Sequence, residues 1–96
     1  MSYHTTLAAD EDIIDLYVRG VTAFGTRQAE RYFDGLFSAF ALLADNPRMA
    51  RERTELDPPM RLYPYRSHLI VYVEGDEGIL IVRVLHGRQD WQRLLS

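Results

Sequence analysis

Residues 61–91, RLYPYRSHLIVYVEGDEGILIVRVLHGRQDW, constrain the fold more than any other part of this chain. Gly75-Asp76-Glu77-Gly78 is a turn signal between two runs rich in β-branched residues, so residues 69–74 and 78–85 are expected to form an antiparallel hairpin. The second run, from Ile79 to Leu85, is apolar at both parities except at Arg83. A strand with one wet face alternates, so this one is expected to be central and covered on both sides. Upstream helices can cover one face. What meets the other is the functional question.

Upstream, residues 2–7 read as a short strand with Tyr3, Thr5 and Leu7 on one parity. Asp10, Glu11 and Asp12 are expected in the first turn of a helix, where the positive end of its dipole favours carboxylates. Ile13, Leu16, Tyr17, Gly20 and Phe24 continue at helical spacing, broadened by Ile14, Val18 and Val21, and Gly25 stops the helix. Thr26 is the expected cap of a second helix carrying Ala29, Tyr32, Phe33, Leu36, Phe40 and Leu43 on one face and ending at Asp45-Asn46-Pro47. Phe37, Ala41 and Ala44 fall off that face and are expected at the surface. The polar connector from Pro47 to Met60 is expected to lie partly ordered against the sheet. The order β-α-α-β-β-β predicts a two-layer α+β domain spanning residues 1–96, a helical hairpin on a small, mostly antiparallel sheet with a short C-terminal helical turn.

Composition narrows the function. No apolar run approaches the ~20 residues a membrane helix needs, so no membrane partner is expected and a cytoplasmic location is. The chain has no cysteine, which removes disulfides, thiolate catalysis and cysteine-ligated metals. All 11 basic residues are arginine and the net charge is −3, so the molecule as a whole has no attraction for nucleic acid. No metal site and no cofactor are expected.

Several blocks together carry a family resemblance. They are Leu7-Ala8-Ala9 ahead of the acidic turn and Ile13/Tyr17; Leu42-Leu43-Ala44-Asp45-Asn46-Pro47; Glu55-Leu56 leading through Pro59 to Met60-Arg61; His68-Leu69-Ile70-Val71-Tyr72; and Ile81-Val82-Arg83-Val84-Leu85-His86-Gly87-Arg88-Gln89-Asp90-Trp91. On these the chain resembles the ParE branch of the RelE/ParE superfamily of bacterial toxins. The resemblance implies a growth inhibitor neutralised by a ParD-like antitoxin, with operator DNA reached only indirectly through that antitoxin and DNA gyrase as target. RelE-like relatives instead cut messenger RNA on the ribosome, and a degenerate homologue would only bind antitoxin. Fold alone does not choose among these.

RNA cleavage needs a base, an acid and positive charge on the phosphate. Candidates are Arg61, Arg66, Arg83 and His86 with Glu52 or Glu55. His86 shares parity with Leu80, Val82 and Val84, the set expected to face the helices, and as a lone histidine reads first as a strand-end side chain bonded to nearby backbone. Arg83, in an apolar strand, needs a partner from Glu74, Asp76 or Asp90. Trp91, Leu94 and Leu95 share one side of a helical turn, either covering the sheet or presenting Trp91 between Arg88 and Arg93 as an anchor. His4 and His68 have no visible role. No catalytic constellation assembles. The expected antitoxin surface is Ile14, Tyr17, Val18, Val21, Phe37, Ala41 and Ala44, with Arg27, Arg31, Arg61 and Arg66 pairing an acidic tail. The expected target surface is Arg61, Arg66, Arg83, His86, Arg88 and Trp91.

Overall fold

A computed structural model describes residues 2–95. Strand β1 (Ser2–Thr5) leads into helices α1 (Leu7–Phe24) and α2 (Thr26–Asp45). Then come β2 (Glu52–Arg53), β3 (Met60–Tyr65), β4 (His68–Gly75), β5 (Gly78–His86) and a short α3 (Trp91–Leu95). The five strands form one sheet in the order β1-β5-β4-β3-β2, with β1 parallel to β5 and every other pairing antiparallel. The α+β layering expected from the sequence is present, with one strand more. The connector adds β2, whose Glu52 and Arg53 pair with Arg61 and Met60.

β5 is interior to the sheet and covered on both faces. On one side Phe33, Leu36, Phe40 and Leu43 of α2 and Ala9 of α1 pack on Ile70, Tyr72, Ile79, Ile81 and Val84. Full burial of side chains such as Leu36 and Phe40 contributes roughly 2–3 kcal/mol each. On the other side Leu56, Met60, Leu62, Val71 and Leu85 form a second core, sealed by Trp91 and Leu95. The second face of the sheet thus meets the connector and the C-terminal turn.

One irregularity decides which residue faces which core. The β4–β5 ladder slips between Val71 and Tyr72, pairing Tyr72 with Ile81 but Val71 with Arg83, so Val82 is an extra residue. A bulge of this kind exchanges the two faces of the bulged strand beyond it. Ile79 and Ile81 face the helices before the bulge, and Val84 does so after it. The expectation that Leu80, Val82, Val84 and His86 share the helix-facing side therefore holds only for the last two. Val82 packs with the far core.

The helix starts also differ from expectation. α1 begins at Leu7, three residues ahead of the acidic run, because the Thr6 hydroxyl accepts from the Ala9 amide at 3.0 Å while donating to the Val82 carbonyl at 2.8 Å. β1 accordingly ends at Thr5, and of the three carboxylates only Asp10 lies in the first turn. Thr26 is not a cap but the first residue of α2, because Gly25 ends one helix and begins the next. Its amide donates to Val21 and its carbonyl accepts from Ala29, at a φ of 87° that favours glycine. Phe24, expected on the buried stripe, is exposed at that turn.

Gly35 in mid-α2 has a packing reason. A Cβ there would meet the Tyr65 phenol, which instead donates to the Tyr32 carbonyl at 3.2 Å. Tyr72, fully buried, donates to the Pro47 carbonyl at 2.8 Å and so ties the connector to the sheet. Tyr72→Phe removes this bond alone and is expected to cost about 1 kcal/mol in urea unfolding. An unchanged unfolding midpoint would show that the bond contributes nothing.

Candidate functional site

The α1–α2 hairpin carries an apolar band on its outer surface. Ile14, Tyr17, Val18 and Val21 recur at i, i+3, i+4 and i+7 along α1, and Phe37 and Ala41 at i and i+4 along α2. The two stripes meet over Phe33, whose ring centroid lies 5.2 Å from that of Tyr17 and 6.0 Å from that of Phe37. Ile14 is 64% exposed, Val18 57% and Phe37 41%, whereas Val21 is half-buried. Ala44 does not belong to this band. It is fully buried, because in the last two turns of α2 the face toward the sheet widens to include Ala39, Phe40, Leu43 and Ala44.

The arginines divide sharply. Arg27 and Arg31 are exposed in the first half of α2, four residues apart on one side. Arg66 is exposed in the β3–β4 turn at a φ of 52°, its guanidinium 5.8 Å from the Tyr65 ring centroid. Arg61 is different. Its side chain is 14% exposed, donating to the Ala50 carbonyl at 2.7 Å and pairing with Glu74 at 3.2 Å, so it holds the connector and not a partner. Arg83 finds neither Glu74, Asp76 nor Asp90. Nε and Nη2 donate to the two carboxylate oxygens of Asp12 at 2.7 and 2.9 Å, and the Val84 amide donates to the same carboxylate at 3.0 Å. Asp12, two residues past the first turn, is therefore a clamp between α1 and β5. That carboxylate raises the Arg83 pKa further above its ordinary value, so the pair stays charged.

Trp91 is half-buried against the far core, with the Arg53 guanidinium 5.5 Å from its ring centroid. It covers the sheet instead of standing out as an anchor. Leu95 packs beside it, and Leu94 is exposed. Glu52 and Glu55 lie with β2 at the sheet edge, Glu55 bonded to Arg53 at 3.3 Å, three strands away from His86 on β5. Of the candidate groups for cleavage, neither of these two glutamates is brought to His86.

His86 instead meets a residue to which sequence reasoning assigned no role. The bulge pairs His86 with His68 across the β4–β5 ladder, their ring centroids 5.2 Å apart. The Tyr32 hydroxyl lies 2.5 Å from His68 Nδ1, and the Arg88 amide donates to His86 Nδ1 at 3.0 Å. The expected backbone bond of His86 is thus present, with Arg88 as its donor. The histidines, Arg88 and Gln89 line a cleft of about 380 Å³ against α1, where Asp15 and Arg19 form its other wall. Burial, then the neighbouring Tyr65, push the Tyr32 phenol up to about 12, so it keeps its proton. Burial, then His86, hold His68 below its ordinary 6.5. Among the described residues no group of three or more His, Asp or Glu is arranged to hold a metal ion, and no helix is long and apolar enough to cross a membrane.

The depressed His68 pKa has a consequence for stability. The native state favours neutral His68, so on acidification the unfolded chain takes up the proton first. This contribution is complete above pH ~6.5 and is lost as the pH falls from there to the lower native value. Wild type is expected to lose more stability than His68→Asn between pH 8 and 5.5 in urea unfolding. Parallel losses would remove His68 from the account.

Residues 3–91 match the family model described as the ParE toxin of the type II toxin–antitoxin system parDE. A toxin of Mycobacterium tuberculosis, ParE1, is 35% identical over 94 residues, covering 97% of this chain and 96% of its own length. ParE3 of Caulobacter vibrioides is 29% identical over 66 residues, covering 69% of this chain and 66% of its own length. Among solved structures, a chromosomal ParDE toxin–antitoxin system of P. aeruginosa superimposes with a TM-score of 0.76 at 18% identity, over 90% of this chain and 95% of that one. The shared fold thus covers 90% of this chain, with residue identity largely replaced. The chain belongs to the ParE toxins of parDE type II toxin–antitoxin systems.

Proposed function

We propose that this toxin works by binding proteins and not by cleaving RNA, that its antitoxin docks on the α1–α2 hairpin, and that its target is DNA gyrase. The observation that carries the reading is the apolar band of Ile14, Tyr17, Val18 and Phe37, left uncovered on two adjoining helices. A contiguous exposed patch of this kind marks a partner surface. Its i, i+3, i+4 spacing suits an amphipathic segment that folds as it docks. Arg27 and Arg31 on the same hairpin and Arg66 in the β3–β4 turn, all exposed, would fix the register of acidic residues in that segment.

Cleavage chemistry is the weaker reading because its parts are committed elsewhere. Arg61 and Arg83 hold Glu74 and Asp12, the carboxylates of β2 lie far from His86, and the net charge of −3 opposes binding to ribosomal RNA. Gyrase is the target that the family resemblance implies, and the reading puts toxin, antitoxin and target together in the cytoplasm, with operator DNA contacted by the antitoxin. Purified toxin is expected to inhibit gyrase supercoiling or trap cleaved DNA while leaving ribosome-bound message intact. Cleaved message with unaffected supercoiling would reverse the assignment, and antitoxin binding with neither effect would leave only an antitoxin binder.

A further inference from the structure

The cleft between α1 and the paired histidines is chemically one-sided. The backbone amide of Arg88 can only donate, so His86 Nδ1 accepts and the neutral ring carries its proton on Nε2. For His68, the Tyr32 phenol, kept protonated by burial, lies 2.5 Å from Nδ1, and we assign the phenol as the donor of that bond. That ring too carries its proton on Nε2. No buried side-chain nitrogen or oxygen among the described residues lacks a hydrogen-bond partner. Among the described residues no hydrogen bond reaches either Nε2, and neither is a buried atom without a partner, so both N–H groups are accessible to a ligand at the cleft that these rings line.

The charges around them are already sorted. Asp12 is neutralised by Arg83 and the Val84 amide, and Asp15 pairs with Arg19 at 2.9 Å. Arg88, exposed at the mouth, has no ion-pair partner among the described residues. What remains is two N–H donors and one free guanidinium, with no spare acceptor charge. A metal ion does not suit this arrangement, because ligation through Nε2 would put a proton on the His86 Nδ1 that accepts from Arg88. A carboxylate does suit it. The flanking acidic residues and the net charge of −3 disfavour a polyphosphate chain but admit one carboxylate held by charge-assisted bonds.

We propose that this cleft is a carboxylate-binding site, taking an acidic side chain or the C-terminal carboxylate of the antitoxin tail. The proposal rests on the docking of the antitoxin along the hairpin. Asp15 and Arg19, which wall the cleft, follow Ile14 and Val18 on α1, one 100° step around a helix only ~10–12 Å across. A segment crossing the apolar band over α1 runs directly into the cleft.

The test uses the full chain and two independent readouts. In histidine nitrogen NMR, both rings are expected in the Nε2–H form, and acetate is expected to shift His68, His86 and the Arg88 guanidinium together and to saturate. Arg88→Ala and His86→Asn should each abolish saturation, because asparagine keeps an acceptor where Nδ1 sits but lacks the Nε2 donor. Either ring in the Nδ1–H form, or non-saturating shifts spread over all arginines, would overturn the site. In calorimetry with the cognate antitoxin, Arg88→Ala is expected to weaken binding about tenfold, the size of one charge-assisted bond. Unchanged affinity in Arg88→Ala alongside a loss in hairpin variants would remove the antitoxin from the cleft but leave it on the hairpin. Intact affinity in the hairpin variants would instead remove the docking reading, with acetate still reporting on the cleft itself. Inorganic phosphate saturating at far lower concentration than acetate would replace the carboxylate assignment.

Discussion

Replacing Ile14 and Phe37 together by glutamate is expected to lower antitoxin affinity by at least ~100-fold, equivalent to about 2.7 kcal/mol, while leaving the toxin folded. Both side chains are largely exposed in the free protein, so charging them removes little packing from the domain. In a docked complex each carboxylate would be taken out of water against an apolar face without a partner, and two such penalties are sufficient for the loss. Calorimetric titration with the cognate antitoxin measures the effect, and thermal unfolding of the variant controls for folding. In cells the same variant should resist neutralisation, so growth arrest persists when antitoxin is co-expressed. Wild-type affinity in the double variant would move the antitoxin off the hairpin.

Asp12→Ala is expected to destabilise the domain by about 3 kcal/mol, because it leaves the Arg83 guanidinium and the Val84 amide without their acceptor between α1 and β5. For a domain of this size that corresponds to a fall in Tm of roughly 12–24 °C. The cost arises from orphaning a partly desolvated charge more than from losing the pair itself. Replacing both partners, as in Asp12→Leu with Arg83→Leu, should therefore recover most of the stability. Single and double variants compared by urea unfolding decide this. If the double variant is as unstable as Asp12→Ala, the clamp contributes a net attraction beyond satisfying Arg83.

The candidate sites were legible to different degrees for physical reasons. The apolar band could be read because helical period puts Ile14, Tyr17, Val18 and Val21 on one side whatever they pack against. Ala44 was misplaced because α2 buries more than a single stripe where it crosses the sheet. Arg61 reads as a surface anchor in the sequence and Trp91 as either an anchor or a cover of the sheet, since local pattern shows that the connector lies on the sheet but not that Ala50 and Leu56 meet these two residues. Asp12 reads as a helix-dipole residue, and only its 71-residue separation from Arg83 in sequence hides its role.

Local pattern alone was sufficient to specify the helical hairpin, the three-strand meander from β3 to β5 and the double-sided burial of β5, because these depend on period, turn chemistry and apolar content within short windows. The tertiary structure decided which residues those elements bring together. Continuing the pairing of Gly75 with Gly78 without interruption would place His68 opposite Leu85 and turn His86 toward the far core. The single extra residue at Val82 moves the register by one, pairs His68 with His86 and turns His86 to the helix side, where His68 already lies at the parity of Ile70 and Tyr72. A bulge is set by packing on both sides of the sheet at once, and no local sequence window contains both sides.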